Sequence, residues 1–206
     1  MKFFDFHHHS LGNTGIYNLE LYQEPPELPF SVGLHPMKLS SSYLHDFQWV
    51  KQLAKHPFCW AIGECGLDSR TNSPYEKEVF KMHIELANSL SKPLIIHCVR
   101  KHHELLSFYN HGKTPWIIHG FNRKPSIANP LISKDIRLSF GKPLLSNLSL
   151  QTLFRELSND QFFLETDSHE VEIEEIYQKA AEIKGMSINE IKEQITINLK
   201  DIRNNG

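Results

Sequence analysis

Pro93-Leu94-Ile95-Ile96-His97 is an apolar run with no polar position inside it, closed by an imidazole. A strand with one wet face alternates apolar and polar side chains. One without alternation is buried on both faces, as in a parallel sheet covered by helices. The same pattern recurs outward from it. Trp116-Ile117-Ile118 ends at His119, Cys59 to Gly63 ends at Glu64, and Phe162-Phe163-Leu164 ends at Glu165-Thr166-Asp167. Ile136 to Phe140 is a further run of this kind, closed by Gly141.

Helical spacing of apolar residues separates these runs, at about 43–55, 75–89, 102–109 and 148–157, with a turn or short helix over 125–132. Two more helices, about 173–184 and 188–202, close the chain, with Gly185 as C-cap and Ser187 as N-cap. The N-terminal third differs. Lys2 to His9, Ile16 to Tyr22 and Phe30 to Leu34 read as strands, but the glycines and prolines between them leave no room for a long helix. Eight strands, most followed by a helix, predict an α/β fold. It is a compact TIM-type (β/α) barrel with a shortened N-terminal β-β-β region lacking at least one helix. At 206 residues, one barrel domain over 1–206 is expected.

Charge and cysteine content narrow the function classes. With 22 basic and 24 acidic side chains the formal net charge is −2, so no broad basic surface for long duplex is implied. Three widely spaced cysteines, Cys59, Cys65 and Cys98, read as reduced thiols, the latter two packing beside strand ends. There is no 18-residue apolar stretch. These features predict a cytoplasmic protein with no membrane partner and no obligate protein partner.

Polar residues gather where the strands end. In Asp5-Phe6-His7-His8-His9, alternation places Asp5, His7 and His9 on one face and His8 in the packing layer. In a barrel of this kind the C-terminal strand ends share one rim, where loops build the site. His7, His9, Glu64, His97, His119 and Asp167 would therefore meet, although up to 160 positions separate them. A lone strand-end histidine usually has a nonmetal role. Four imidazoles and two carboxylates converging are a ligand set for zinc, manganese or similar divalent ions, and two ions would share them more naturally than one.

The motifs in order resemble those of the TatD-like metal-dependent deoxyribonucleases of the amidohydrolase superfamily. They are Asp5-x-His7-x-His9, Gly33-Leu34-His35-Pro36, Gly63-Glu64-Cys65-Gly66-Leu67-Asp68, Ile96-His97-Cys98-Val99-Arg100, His119-Gly120-Phe121 and Leu164 to Ser168. Met37 and His169 depart from that pattern, and the stretch between the first two motifs is shorter than usual. The resemblance implies one divalent ion (Zn, Mn or Mg) on His7, His9, Glu64 and Asp167. It implies a second on Glu64, His97 and His119, with Glu64 bridging. It further implies Asp167 as general base, His35 and Arg100 as substrate-phosphate ligands, and Asp5 as a support for a ligand. Arg70, Lys101, Arg123, Lys124 and Lys142 are additional basic residues expected near the rim.

The function expected from this is divalent-metal-dependent hydrolysis of DNA phosphodiester bonds by a two-metal mechanism, with DNA or another phosphodiester as substrate. Two alternatives share the fold: an amidohydrolase-type hydrolase of a small ester, lactone or amide, and a binding protein without catalysis.

Overall fold

Eight strands form one parallel sheet in sequence order, β1 (Asp5–His8), β2 (Gly15–Asn18), β3 (Phe30–Val32), β4 (Cys59–Asp68), β5 (Leu94–Val99), β6 (Trp116–Ile118), β7 (Arg137–Phe140) and β8 (Phe162–Leu164). The structure, a computed structural model, describes residues 2–204. The sheet curls until its two edges meet. His8 bridges Asp167 in parallel, and the Asp167 N–H donates to the His7 carbonyl at 2.9 Å. The architecture is thus the nearly closed parallel barrel that the buried apolar runs require. Leu94, Ile95 and Ile96 are all fully buried, as a strand lacking alternation should be.

Helices cover the outside of β3 to β8. They are α1 (Tyr43–Leu53), α2 (Glu76–Leu90), α3 (His102–Ser107), α4 (Pro125–Ile132), α5 (Leu148–Glu156), α6 (Ile173–Lys184) and α7 (Ile188–Asn204). Among the described residues no helix separates β1, β2 and β3, as the glycine and proline content of the links predicts. Strands this short let the turns and bends of residues 9–14 and 19–29 return the chain without a helix. The C-terminal punctuation is also as expected. Gly185 caps α6 at φ 65°, and Ser187 and Glu190 bond each other's backbone N–H at 3.2 and 2.7 Å, a capping box at the start of α7.

β1 starts at Asp5 and ends at His8, β3 ends at Val32 and β5 runs on to Val99, small shifts from the sequence reading, and two strand ends differ more. β2 stops at Asn18 rather than Tyr22, because Gln23 turns the chain. Its Oε1 accepts from the Tyr17 hydroxyl at 2.9 Å and from the Glu20 N–H at 3.2 Å, and Tyr22 adopts φ 65°. β4 does not end at Glu64 but runs on to Asp68. Gly63 and Gly66 both adopt φ near +144° and +143°, and the pairing with β5 shifts register between Ile62 and Cys65. A Cβ at Gly66 would lie 2.0 Å from the His97 carbonyl oxygen, so only glycine permits this approach. The irregularity presents Glu64 to the barrel mouth without ending the strand. The three cysteines are free and buried.

Candidate metal centre

Glu64 stands at the middle of the rim, 6 % exposed and surrounded by four imidazoles. Its Oε1 lies 2.8 Å from His119 Nε2, 2.9 Å from His97 Nδ1 and 3.2 Å from His35 Nε2, while its Oε2 lies 3.6 Å from His7 Nε2. Burial alone would raise this carboxyl, but the charge and hydrogen bonding of His119, with His35 and His7, outweigh it and hold Glu64 well below the usual range. Burial opposes the charge on His119 likewise, and Glu64 and Glu165 together raise it. An ionised carboxylate among nitrogen donors is what a bridging ligand would be.

His7 is fully buried, yet neither ring nitrogen has a hydrogen-bond partner. A buried polar side chain is normally satisfied; His8 lacks hydrogen-bond partners too, but His7 alone of the two faces two carboxylates, and this marks a place for a ligand. Its Nε2 is 3.6 Å from Glu64 and 3.8 Å from Asp167 Oδ1, and His9 Nε2 is 3.4 Å from the same Asp167 oxygen. Two ligands of one tetrahedral ion with bonds near 2.1 Å stand about 3.4 Å apart, so these spacings suit donors grouped around a cation. Three trios place their donor atoms within 4.8 Å of one another: His7, His9 and Glu64; His7, His119 and Asp167; and His35, Glu64 and His97. All six residues expected as ligands are therefore drawn together. The trios cut across the two sets that the resemblance implied, since His119 groups with His7 and Asp167, and His35 with Glu64 and His97.

Hydrogen bonding decides what His35 offers. Its Nδ1 accepts from the Met37 N–H at 3.1 Å, so the neutral ring keeps its proton on Nε2, facing Glu64. In that tautomer His35 is a donor toward an anion rather than a metal ligand. Asp167 occupies the seam of the barrel with φ 54°, an uncommon conformation for a residue other than glycine. Burial works against its charge, but the His9 hydrogen bond, with His119 and His7, pulls its pKa down to about 2. The same pair raises His9 from its ordinary value.

Behind these residues stands a set of carboxylates that orients them. Asp68, fully buried, takes the Nε2 of His97 at 2.7 Å and is itself held by the Arg70 side chain at 2.5 to 3.1 Å. Arg70 and His97 keep Asp68 ionised in spite of burial. Glu165 faces His119 Nδ1 at 3.5 Å and accepts from the Gly120 N–H at 2.5 Å. Neither role was read from the sequence, although a signal existed. Asp68 lies four positions past Glu64 and Glu165 two before Asp167, spacings that share a face on extended chain. Asp5 was expected to support a ligand, and it does so indirectly. Its carboxylate accepts from the Thr166 N–H at 2.9 Å, the Thr166 hydroxyl at 2.6 Å and the Asn13 amide at 2.9 Å, which pins the segment carrying Asp167 to β1. Burial lifts Asp5 to about 6 against these hydrogen bonds.

The other predicted residues fall farther out. Arg100 is exposed, in a left-handed turn just after β5 at φ 57°. Of the basic residues expected near the rim, Arg123 lines a recess of about 130 Å³ together with His97, His119 and Asp167. Lys101 pairs instead with Glu76, and Arg70 with Asp68. His8 faces Tyr17 in the packing layer, 6.0 Å between ring centres, and burial followed by the charge of His7 lowers it to about 4. No described helix is long and apolar enough to cross a membrane.

Known proteins share this fold. YjjV, a TatD homologue from Escherichia coli K12, superposes with a TM-score of 0.76 over 92 % of this chain and 86 % of its own, at 18 % identity. A TatD family hydrolase of Entamoeba histolytica does so at 0.72, over 87 % and 75 %, at 15 % identity. In sequence, the uncharacterised metal-dependent hydrolase YabD of Bacillus subtilis is 26 % identical over 88 % of this chain and 80 % of its own. The 3'-5' ssDNA/RNA exonuclease TatD of Musicola paradisiaca is 27 % identical over 77 % of this chain and 65 % of its own. The family model described as TatD related DNase matches residues 11–204, beginning just after His7 and His9, which the fold nevertheless returns to the shared rim. Family model, relatives and fold agree, and the chain belongs to the TatD related DNase family.

Proposed function

We propose that this chain is a divalent-metal-dependent phosphodiesterase acting on DNA or another single-stranded nucleic acid. The observation that carries the reading is Glu64, an ionised carboxylate among four imidazoles, beside the buried and unpartnered ring of His7. Relatives named as single-strand exonucleases support the substrate class. His7, His9, Glu64 and Asp167 would hold one ion, and Glu64, His97 and His119 the other. Bound divalent cations supply a nucleophile at neutral pH and neutralise charge on the phosphate oxygens.

The chain's own groups do the rest. Asp167, kept ionised against burial by His9, His119 and His7, would accept the proton of the attacking water. Glu64 and the histidines fix the centre, and Asp68 and Glu165 set the orientation of His97 and His119. His35, with its proton on Nε2, donates to a phosphate oxygen, and Arg100 meets the substrate farther along the strand.

The test is degradation of an end-labelled single strand by the purified protein with manganese, magnesium or zinc, alongside elemental analysis. Glu64→Gln is expected to abolish cleavage while the circular dichroism spectrum stays that of wild type. Undiminished cleavage by that variant would sink the mechanism.

A further inference from the structure

Asp167 sits on a divide between two cavities of opposite character. On one side is an open trough of about 930 Å³ between the β1–β2 link and the start of α6, bordered by Glu170, Glu172, Glu174 and Glu175 against Lys2. On the other is the recess of about 130 Å³, where His97, His119 and Asp167 share the wall with Arg123. Four glutamates repel a polyanion from the first, whereas in the second the guanidinium of Arg123 stands against the single carboxylate of Asp167.

We propose that Arg123 is the residue that grips the anionic phosphate of the substrate at this centre, and so selects phosphodiesters over neutral esters. This rests on the phosphodiesterase reading above. Among the described residues Arg123 pairs with no carboxylate, and only its Nη1 is engaged, on the Asn122 carbonyl at 3.0 Å. Its remaining N–H groups are free to meet two phosphate oxygens, the geometry for which a guanidinium is suited. The side chain is partly exposed, so it is reachable from the mouth.

The loop that carries it is fixed from three directions. Gly120 N–H donates to Glu165 at 2.5 Å, Phe121 N–H donates to the Ser139 carbonyl at 2.9 Å, and the Asn122 side chain accepts from Asn147 at 2.9 Å. Pro125 then starts α4 directly after Lys124. A charge held in place beforehand loses little freedom on binding, which favours it over an exposed arginine such as Arg100.

The full-length protein with a fluorescein-labelled single-stranded pentanucleotide in EDTA reads binding by anisotropy without turnover. Arg123→Gln should weaken binding roughly tenfold and flatten the dependence on salt by about 0.7 in log–log slope. Arg123→Lys should recover part of it, and Lys51→Gln, which removes the same charge from α1, should leave it unchanged. With manganese, Arg123→Gln should raise KM for bis(p-nitrophenyl) phosphate about tenfold. Binding by Arg123→Gln equal to wild type, or no weaker than Lys51→Gln, overturns the assignment. Failure of the underlying reading shows itself separately, as a wild-type protein that neither binds nor cleaves the oligonucleotide.

Discussion

Asp68 Oδ2 lies 2.7 Å from Nε2 of His97, on the side of the ring opposite Glu64. The carboxylate accepts a hydrogen bond from the Nε2–H, so the proton stays on Nε2 and the Nδ1 lone pair is turned to the centre of the rim, the tautomer needed of a ligand. Asp68→Asn is expected to lower metal affinity about 10- to 100-fold with the fold intact, as measured by competition with a chelating dye. Affinity equal to wild type would show that Asp68 serves only Arg70.

Removal of metal should cost the fold stability as well as activity, because only the native state assembles the donors. Divalent ion at about 100 times its dissociation constant contributes about 2.7 kcal/mol, visible as a melting temperature that falls when EDTA is added. Because the imidazoles must be neutral to bind, and His119 and His9 hold their protons to higher pH than the ordinary 6.5, affinity should already be weakening as pH falls toward 6.5 and go on weakening below it. Tighter binding at pH 5 than at pH 8 would contradict the site.

His83, fully buried in α2, accepts the Leu34 N–H at 2.9 Å on Nε2 and faces the Val79 carbonyl at 2.7 Å with Nδ1. It thereby holds the backbone next to His35 in the neutral form, and burial lowers its pKa from 6.5 to about 4. Above pH 6.5 folded and unfolded chains both carry it neutral. As pH falls from there toward 4 the unfolded chain binds a proton that the folded one refuses, so stability declines by up to about 3 kcal/mol. His83→Gln, which keeps a donor and an acceptor, should flatten that decline in urea titrations at pH 4.5 and 7.5. An unaltered slope would remove His83 as its source.

The seam responds to Thr166. Thr166→Val keeps the shape but deletes the hydroxyl that donates to Asp5 at 2.6 Å. A bond to a charged acceptor in a buried place contributes about 2 kcal/mol, so the midpoint of urea unfolding should shift accordingly. Stability within a few tenths of wild type would show that the Thr166 N–H and Asn13 suffice to hold Asp5.

Gly66→Ala tests the irregularity in β4. The added Cβ would lie 2.0 Å from backbone at His97, at a φ of +143° that alanine rarely adopts, so a loss of roughly 2 to 4 kcal/mol is expected. Metal affinity should fall with it, since both Glu64 and His97 border the contact. A stable variant with unaltered affinity would mean that the strand can straighten without moving Glu64.

Much of this was legible in the chain because the physics was local. Leu94 to Ile96 lacks alternation and is buried on both faces. The prolines at 25, 26 and 29 exclude a helix where none is found. His7 and His9 meet as expected, with ring centres 5.3 Å apart, although His9 lies one residue beyond β1 and the pairing shifts between Asp5 and His8. What escaped depends on distant partners. The extension of β4 past Glu64 rests on glycines meeting the backbone of β5, and the donor character of His35 on an N–H at Met37. The grouping of His119 with His7 and Asp167 comes from the curvature of the whole sheet, which no window of sequence contains.

The hydrogen bond from Asp167 N–H to the His7 carbonyl joins the first strand to the segment after the last. The donor cluster is therefore completed by the same contact that shuts the barrel. A chain still being synthesised can have made His7, His9, Glu64, His97 and His119 and remain inert until residue 167 arrives. Under the proposed function, hydrolytic competence would thus be a report on completed folding, and a partly made copy would leave the nucleic acid around it intact.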